Sequence, residues 1–347
     1  MNLEEIKDKL KNYNGPRISI MEVCGSHTAA IAKYGIKGLL SPKIKLISGP
    51  GCPVCVTPSA YVDKLIELSF NETVVTFGDL LRVPGSVESL NMAKTKGAKV
   101  QMVYSPMDVL TLAKVHPDEN FVFAAVGFET TAPVYTLLLD SIVSENLNNI
   151  KVLTAIKTMP AVIESLLNDK ECKIDAFLAP GHVAAVTGSK YFEELSTKYQ
   201  IPFGVAGFEP EELIIAIAGI VNQIEKDPSS VVNYYPSVVT EEGNSIAKEQ
   251  INKYFETYDA VWRGIGAVKD SGLILKEEYS KYDAGSRNLS MDNHNTACRC
   301  GEVLTGKITS KQCPLFEKVC TPANPKGACM VSFEGSCYQN FLNKTEE

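Results

Sequence analysis

Two thiols three positions apart, Cys52 and Cys55, lie in the stretch Gly49-Pro50-Gly51-Cys52-Pro53-Val54-Cys55. An apolar run, Ile44 to Ile47, precedes them, and a helix is predicted to begin near Pro58-Ser59. A Cys-x-x-Cys in a Gly/Pro turn at a strand end can close a reversible disulfide or present two thiolates to a metal. A nearby helix N-terminus favours the thiolate in either role. Zinc knuckles use the same spacing, but no second pair lies close by to complete a four-cysteine site. What lies close by is Met21-Glu22-Val23-Cys24-Gly25-Ser26-His27-Thr28, where another predicted strand ends on a cysteine.

Six of the ten cysteines fall in the last fifty residues: Cys298, Cys300, Cys313, Cys320, Cys329 and Cys337. Their short, irregular spacings, interleaved with Pro and Gly, suit thiolates that wrap a compact iron–sulfur cube better than paired zinc knuckles. Four would hold a cluster, and two spare thiols suggest a redox disulfide beside it. Cys172 has no sequence partner and reads as incidental.

Other strand-end loops carry polar groups. Gly127-Phe128-Glu129-Thr130-Thr131-Ala132-Pro133 reads first as a helix start, with Thr130 or Thr131 as N-cap, which leaves Glu129 outside the helix. Asp79 follows a predicted strand in Gly78-Asp79-Leu80, either as a turn cap or as a site residue. His27 and His182 stand at predicted strand ends, His116 reads as surface, and His294 as an outer-shell group near the cysteine tail.

The elements that must position these groups alternate. Strands are expected at Arg17–Val23, Lys45–Ser48, Thr73–Phe77, Lys99–Val103, Phe121–Val126, Lys151–Thr154, Ile174–Leu178 and Phe203–Ala206, with helical spacing between them (Tyr61, Leu65, Leu68; Ile214, Ile217, Val221). Such alternation predicts an α/β fold of parallel sheet with helices on both faces and functional loops at the carboxyl ends of the strands. Gly127-Phe128-Glu129 recurs as Gly207-Phe208-Glu209, and Gly49-Pro50-Gly51-Cys52 is loosely echoed by Ala179-Pro180-Gly181-His182, which suggests two similar α/β domains. The expected division is 1–118, with 238–270 as its candidate completion, then 119–237, then a cysteine-rich domain at 271–347. The stretch Val238 to Asp259 reads as helical and runs into Ala260-Val261-Trp262-Arg263-Gly264-Ile265-Gly266.

A net charge of −7 argues against nucleic acid as a partner. No apolar run is long enough for a membrane span, and the N-terminus lacks a signal core, so a cytoplasmic protein is expected. In that compartment ten cysteines favour metal or redox chemistry over structural disulfides.

Through Met21–Thr28, Gly49–Thr57, Gly78–Gly85, Gly127–Pro133, Pro180–Val183 and the run Cys298 to Cys337, the sequence resembles the HypD family of hydrogenase maturation proteins. The resemblance implies a scaffold that, with the small chaperone HypC, assembles the Fe(CN)2CO group of [NiFe]-hydrogenase, with cyanide delivered by HypE. It implies two similar α/β domains and a third with a [4Fe–4S] cluster. Carried onto this sequence, Cys24 is the iron-binding thiol, Cys52 and Cys55 are the thiol pair beside it and further candidate metal ligands, and His27, Asp79, Glu129 and His182 line the same cleft. The tail is also similar to the catalytic subunit of ferredoxin–thioredoxin reductase, which implies Cys298, Cys313, Cys320 and Cys337 as cluster ligands and Cys300 with Cys329 as the redox pair. Cluster, disulfide and Cys52/Cys55 would then form an electron relay. A cluster-dependent protein disulfide reductase is the rival expectation; it explains the tail and Cys52/Cys55 but leaves Cys24 and His27 idle.

Overall fold

The computed structural model describes residues 2–289, 291–293 and 295–343, so His294 lies outside the described residues. The strands are β1 (Ile18–Glu22), β2 (Ile44–Ser48), β3 (Thr73–Thr76), β4 (Val100–Met102), β5 (Phe121–Gly127), β6 (Ile150–Lys157), β7 (Ala176–Pro180), β8 (Phe203–Ala206), β9 (Val231–Asn233), β10 (Phe255–Trp262) and β11 (Gly266–Leu275). They form two sheets. The first has the order β2-β1-β7-β8-β9 and is parallel throughout. The second has the order β10-β11-β6-β5-β3-β4, parallel from β6 to β4 and closed by the antiparallel β11 and β10.

The α/β class with parallel-dominated sheets is as expected. Every residue of β5 is buried, and so is all of β6 except Lys151. This is why these strands read as unbroken apolar runs: a central parallel strand is covered by helices on both faces. In each sheet the first four strands along the chain share one order, second-first-third-fourth, so the two halves are alike in topology. The sequence echoes do not map onto that likeness. Gly127-Phe128-Glu129 follows β5, the third strand of its sheet, whereas Gly207-Phe208-Glu209 follows β8, the fourth of the other.

The expected division at residue 118 does not hold. It would part β3 from β5, to which β3 is hydrogen-bonded, and β1 pairs with β7 more than 120 residues later. The chain lays down β1 and β2, crosses to build β3 to β6, returns for β7 to β9, and crosses again for β10 and β11. The polar turn at His116 is an ordinary helix-to-strand loop inside the second sheet. Residues 238–270 supply the helix Ser245–Tyr254 and most of a hairpin that completes the 73–157 sheet, and β11 runs to Leu275, past the expected start of the cysteine-rich domain. The helical spacing of that stretch ends at Tyr254, where the aromatic and β-branched run from Phe255 to Trp262 takes over as a strand.

One of four apolar clusters joins residues of both sheets to the tail: Met21, Val23, Cys52, Cys55, Phe128 and Trp262 share it with all six tail cysteines. Among the described residues no helix is long and apolar enough to cross a membrane.

Candidate thiol centre

Cys24 follows β1 and is the N-cap of the helix Gly25–Lys33. It is buried, and burial pushes its thiol up to about 12; the amides of His27 and Ser26 pull the other way, and the carboxylates of Glu334 and Glu22 add to the rise. The Cys52–Cys55 disulfide caps the helix Pro53–Val56, with the Cys55 N–H donating to Cys52 Sγ at 3.1 Å. The two loops interlock through Gly51. Its carbonyl accepts from the Gly25 amide at 2.9 Å, and a Cβ on Gly51 would fall 2.2 Å from the Cys24 nitrogen. Only glycine fits there, and the result is a disulfide loop packed directly on Cys24.

Two acids that sequence reading passed over flank Cys24. Glu22, on β1, is 1% exposed; burial raises its carboxyl to about 8, partly offset by Thr28, the Cys24 amide and Ser48. Its Oε2 accepts from the Cys24 amide at 3.0 Å, and the Thr28 hydroxyl donates to Oε1. Glu334 comes from the far end of the chain. Its Oε1 accepts from Ser26 Oγ at 2.8 Å, and its Cβ would lie 2.4 Å from any Cβ on Gly25. Burial raises its pKa, and Asp79, close enough to act on it, adds to the rise. Glu334, held by Ser26 in the turn after Cys24, thus carries the end of the chain to this loop. The one local signal was its place between an aromatic and a glycine in the tail, too weak to single it out.

The histidines behave differently from one another. His27 is fully buried and does not line an open cleft. Its Nε2–H donates to the Gly207 carbonyl at 3.0 Å at the end of β8, Nδ1 is buried without a partner, and burial lowers its pKa to about 4. His182, exposed, stacks on Phe208 at 3.9 Å, and His27 meets the same ring at 4.7 Å. Glu129 is held by neutral donors. Its Oε1 accepts from the Met159 amide (2.7 Å) and the Tyr191 hydroxyl (2.9 Å), Oε2 has no partner, and burial raises it to about 7. The helix that follows has Thr131 at its N-cap, but the Thr131 hydroxyl donates to the Phe128 carbonyl instead of accepting from a helix amide.

All six tail thiols line one small apolar cavity, otherwise walled by Phe316, Gly327 and Met330. Cys300 touches both Cys298 and Cys329. For Cys298, contact with Cys300 and then burial push the thiol up; for Cys300, contact with Cys298 pulls down while Cys329 and burial carry it to about 12; for Cys329, contact with Cys300 opposes burial. In all three Arg263 pulls downward. Among the described residues no three His, Cys, Asp or Glu side chains are drawn into a closed metal set, and the contacts do not divide the six thiols into four and two. The donor chemistry nonetheless fits a thiolate-ligated cluster: six sulfurs converge in an apolar cradle where even a Cβ on Gly327 would lie 2.5 Å from Cys298 Sγ. Cys172 Sγ donates to the Thr305 carbonyl at 3.3 Å, outside this cavity.

Parallel-dominated sheets with buried cysteines at a carboxyl edge, joined to a cysteine-rich C-terminal region, define the class: an α/β protein with two such sheets. A family model for HypD, described as Hydrogenase formation hypA family, matches residues 2–343, and the chain belongs to that family. It is 40% identical to hydrogenase maturation factor HypD of Escherichia coli K12, covering 99% of this chain and 95% of that protein. It is 41% identical to HypD of Rhizobium leguminosarum (99% and 92% covered) and 40% identical to HypD of Rhodobacter capsulatus (92% and 88%).

Proposed function

We propose that this protein is a cytoplasmic hydrogenase maturation scaffold on which an iron ion, as cargo, receives cyanide and CO before transfer to a [NiFe]-hydrogenase. Cys24 is the ligand to that iron, shared with a cysteine of a HypC-type chaperone, and a HypE-type protein delivers the cyanide group. The supporting observation is the interlock of Gly51 with Cys24, which places a disulfide against the one free thiol at the carboxyl edge of β1 and β2. A soft, electron-rich iron centre prefers such sulfur donors to carboxylates.

Within the chain, the buried neutral thiol of Cys24 becomes a ligand by exchanging its proton for the metal ion. The helix N-terminus at Ser26 and His27 favours the resulting thiolate. Glu22 and Ser26 fix the loop, and burial keeps water away. The Cys52–Cys55 disulfide can accept two electrons and two protons to become a dithiol. Cys298, Cys313, Cys320 and Cys337 would hold a [4Fe–4S] cluster, with Cys300 and Cys329 as the adjacent thiol pair. When bound, such a cluster supplies single electrons.

Infrared spectroscopy of the chain purified anaerobically with its small chaperone is the test. The wild-type complex should show cyanide and CO stretching bands, and Cys24→Ser should abolish them while iron and sulfide in the tail persist. Bands of wild-type intensity in Cys24→Ser would sink the assignment.

A further inference from the structure

The hairpin tip between β10 and β11 has no part in the thiol assignments above, yet it carries an arginine that is only 1% exposed. The Arg263 amide donates to the Val56 carbonyl (2.8 Å), Nε to Thr57 (2.6 Å) and Nη2 to Pro84 (2.8 Å). These acceptors are neutral. Among the described residues no carboxylate forms an ion pair with Arg263; Asp292, beside it, accepts from the amides of Gly264 and Ser59. A buried guanidinium without a counter-charge is costly.

The neighbouring residue shows where a counter-charge would lie. Gly264, at φ 72°, is pressed against Gly301, so that a Cβ on Gly264 would fall 2.7 Å from the Gly301 Cα and 3.7 Å from Cys300 Sγ. The hairpin tip that carries Arg263 therefore bridges the last carbonyls of the Cys52–Cys55 helix and the turn that carries Cys300, which lines the six-cysteine cavity.

We propose that Arg263 is a positioning residue that balances the negative charge of a thiolate-ligated cluster in this cavity, raises its reduction potential, and ties the Cys52–Cys55 loop to it. This rests on the cluster assignment above. Such a cluster is anionic, and an added electron makes it more so; a fixed cation nearby favours the reduced state.

The test compares full-length wild type, Arg263→Lys and Arg263→Met, prepared anaerobically. Circular dichroism and iron and sulfide content come first, followed by a dye-mediated redox titration read by electron paramagnetic resonance. The Met variant should keep its cluster at a more negative midpoint, with the Lys variant closer to wild type. A Met variant at the wild-type midpoint overturns the proposal. So does a Lys shift equal to the Met shift, because hydrogen bonds rather than charge would then be responsible. If the Met variant folds without a cluster, Lys decides: a cluster near the wild-type midpoint supports the charge role, and no cluster in either variant overturns it. A wild-type chain that takes up no iron and sulfide fails the cluster reading itself and removes the proposal with it.

Discussion

The two sheets share a strand order but finish their carboxyl edges differently. At the first, backbone meets backbone: Gly51 sits on Cys24, and Gly181 would place a Cβ 2.3 Å from the Ala206 carbonyl. Thiols and imidazoles lie there beside one buried acid, Glu22. At the second, the loops carry Asp79 and Glu129, and the nearest atom to a Cβ on Gly78 is a flexible one, Met102 Sδ at 3.2 Å. The second sheet also ends in an antiparallel hairpin that the first lacks, and this hairpin delivers Trp262 to the shared core and Arg263 to the carbonyls of Thr57 and Pro84. One topology thus supports two differently furnished edges, because chemistry resides in the loops and not in the strand order.

The sharpest contrast is between matched glycines. Gly51→Ala should cost about 3 kcal/mol or more, since the clash is with backbone that cannot yield, whereas Gly78→Ala should cost less than about 1 kcal/mol. Equal losses in thermal unfolding would remove the distinction between the edges.

A pH series tests the buried acids of both edges. A carboxyl whose folded pKa is raised contributes stability that is present below its unfolded value and lost as pH rises through the folded one. For Glu129 that loss runs from about 4.5 to about 7, and for Glu22 to about 8. Glu129→Gln should therefore flatten the wild-type decline between these pH values by about 1–3 kcal/mol in urea unfolding under reducing conditions. Glu22→Gln should do so over a window reaching one unit higher. An unchanged slope in both variants would mean that neither carboxyl is held protonated.

Ser26→Ala removes the hydroxyl that binds Glu334 and should cost about 1 kcal/mol. It should also speed alkylation of Cys24 by loosening the tail from its loop, as mass spectrometry can follow; an unaltered rate would leave Glu334 without a positioning role. The smallest effect belongs to Cys172→Ser. Its contacts with Thr305 and Asp169 lie outside both thiol groups, so a change below about 0.5 kcal/mol and unaltered thiol pairing are expected.

The sequence alone determined the α/β class, eight of the strands, and the carboxyl-edge positions of Cys24, the Cys52/Cys55 pair, Asp79 and Glu129. These follow from local patterns: an apolar run of strand length ending in Gly, Pro or a cap is legible within a window of a few residues. Pairing between distant segments decided the rest. Only the fold could show that β1 pairs with β7 across the 73–157 insertion, that the helical stretch before Phe255 turns into the strands of the second sheet, that His27 is turned inward to Gly207, and that Glu334 and Arg263 arrive at the thiols from later in the chain. Nothing within a few residues of Glu334 or Arg263 distinguishes a surface charge from a buried one. Their burial depends on which loops pack over them, and that is fixed by contacts hundreds of residues apart.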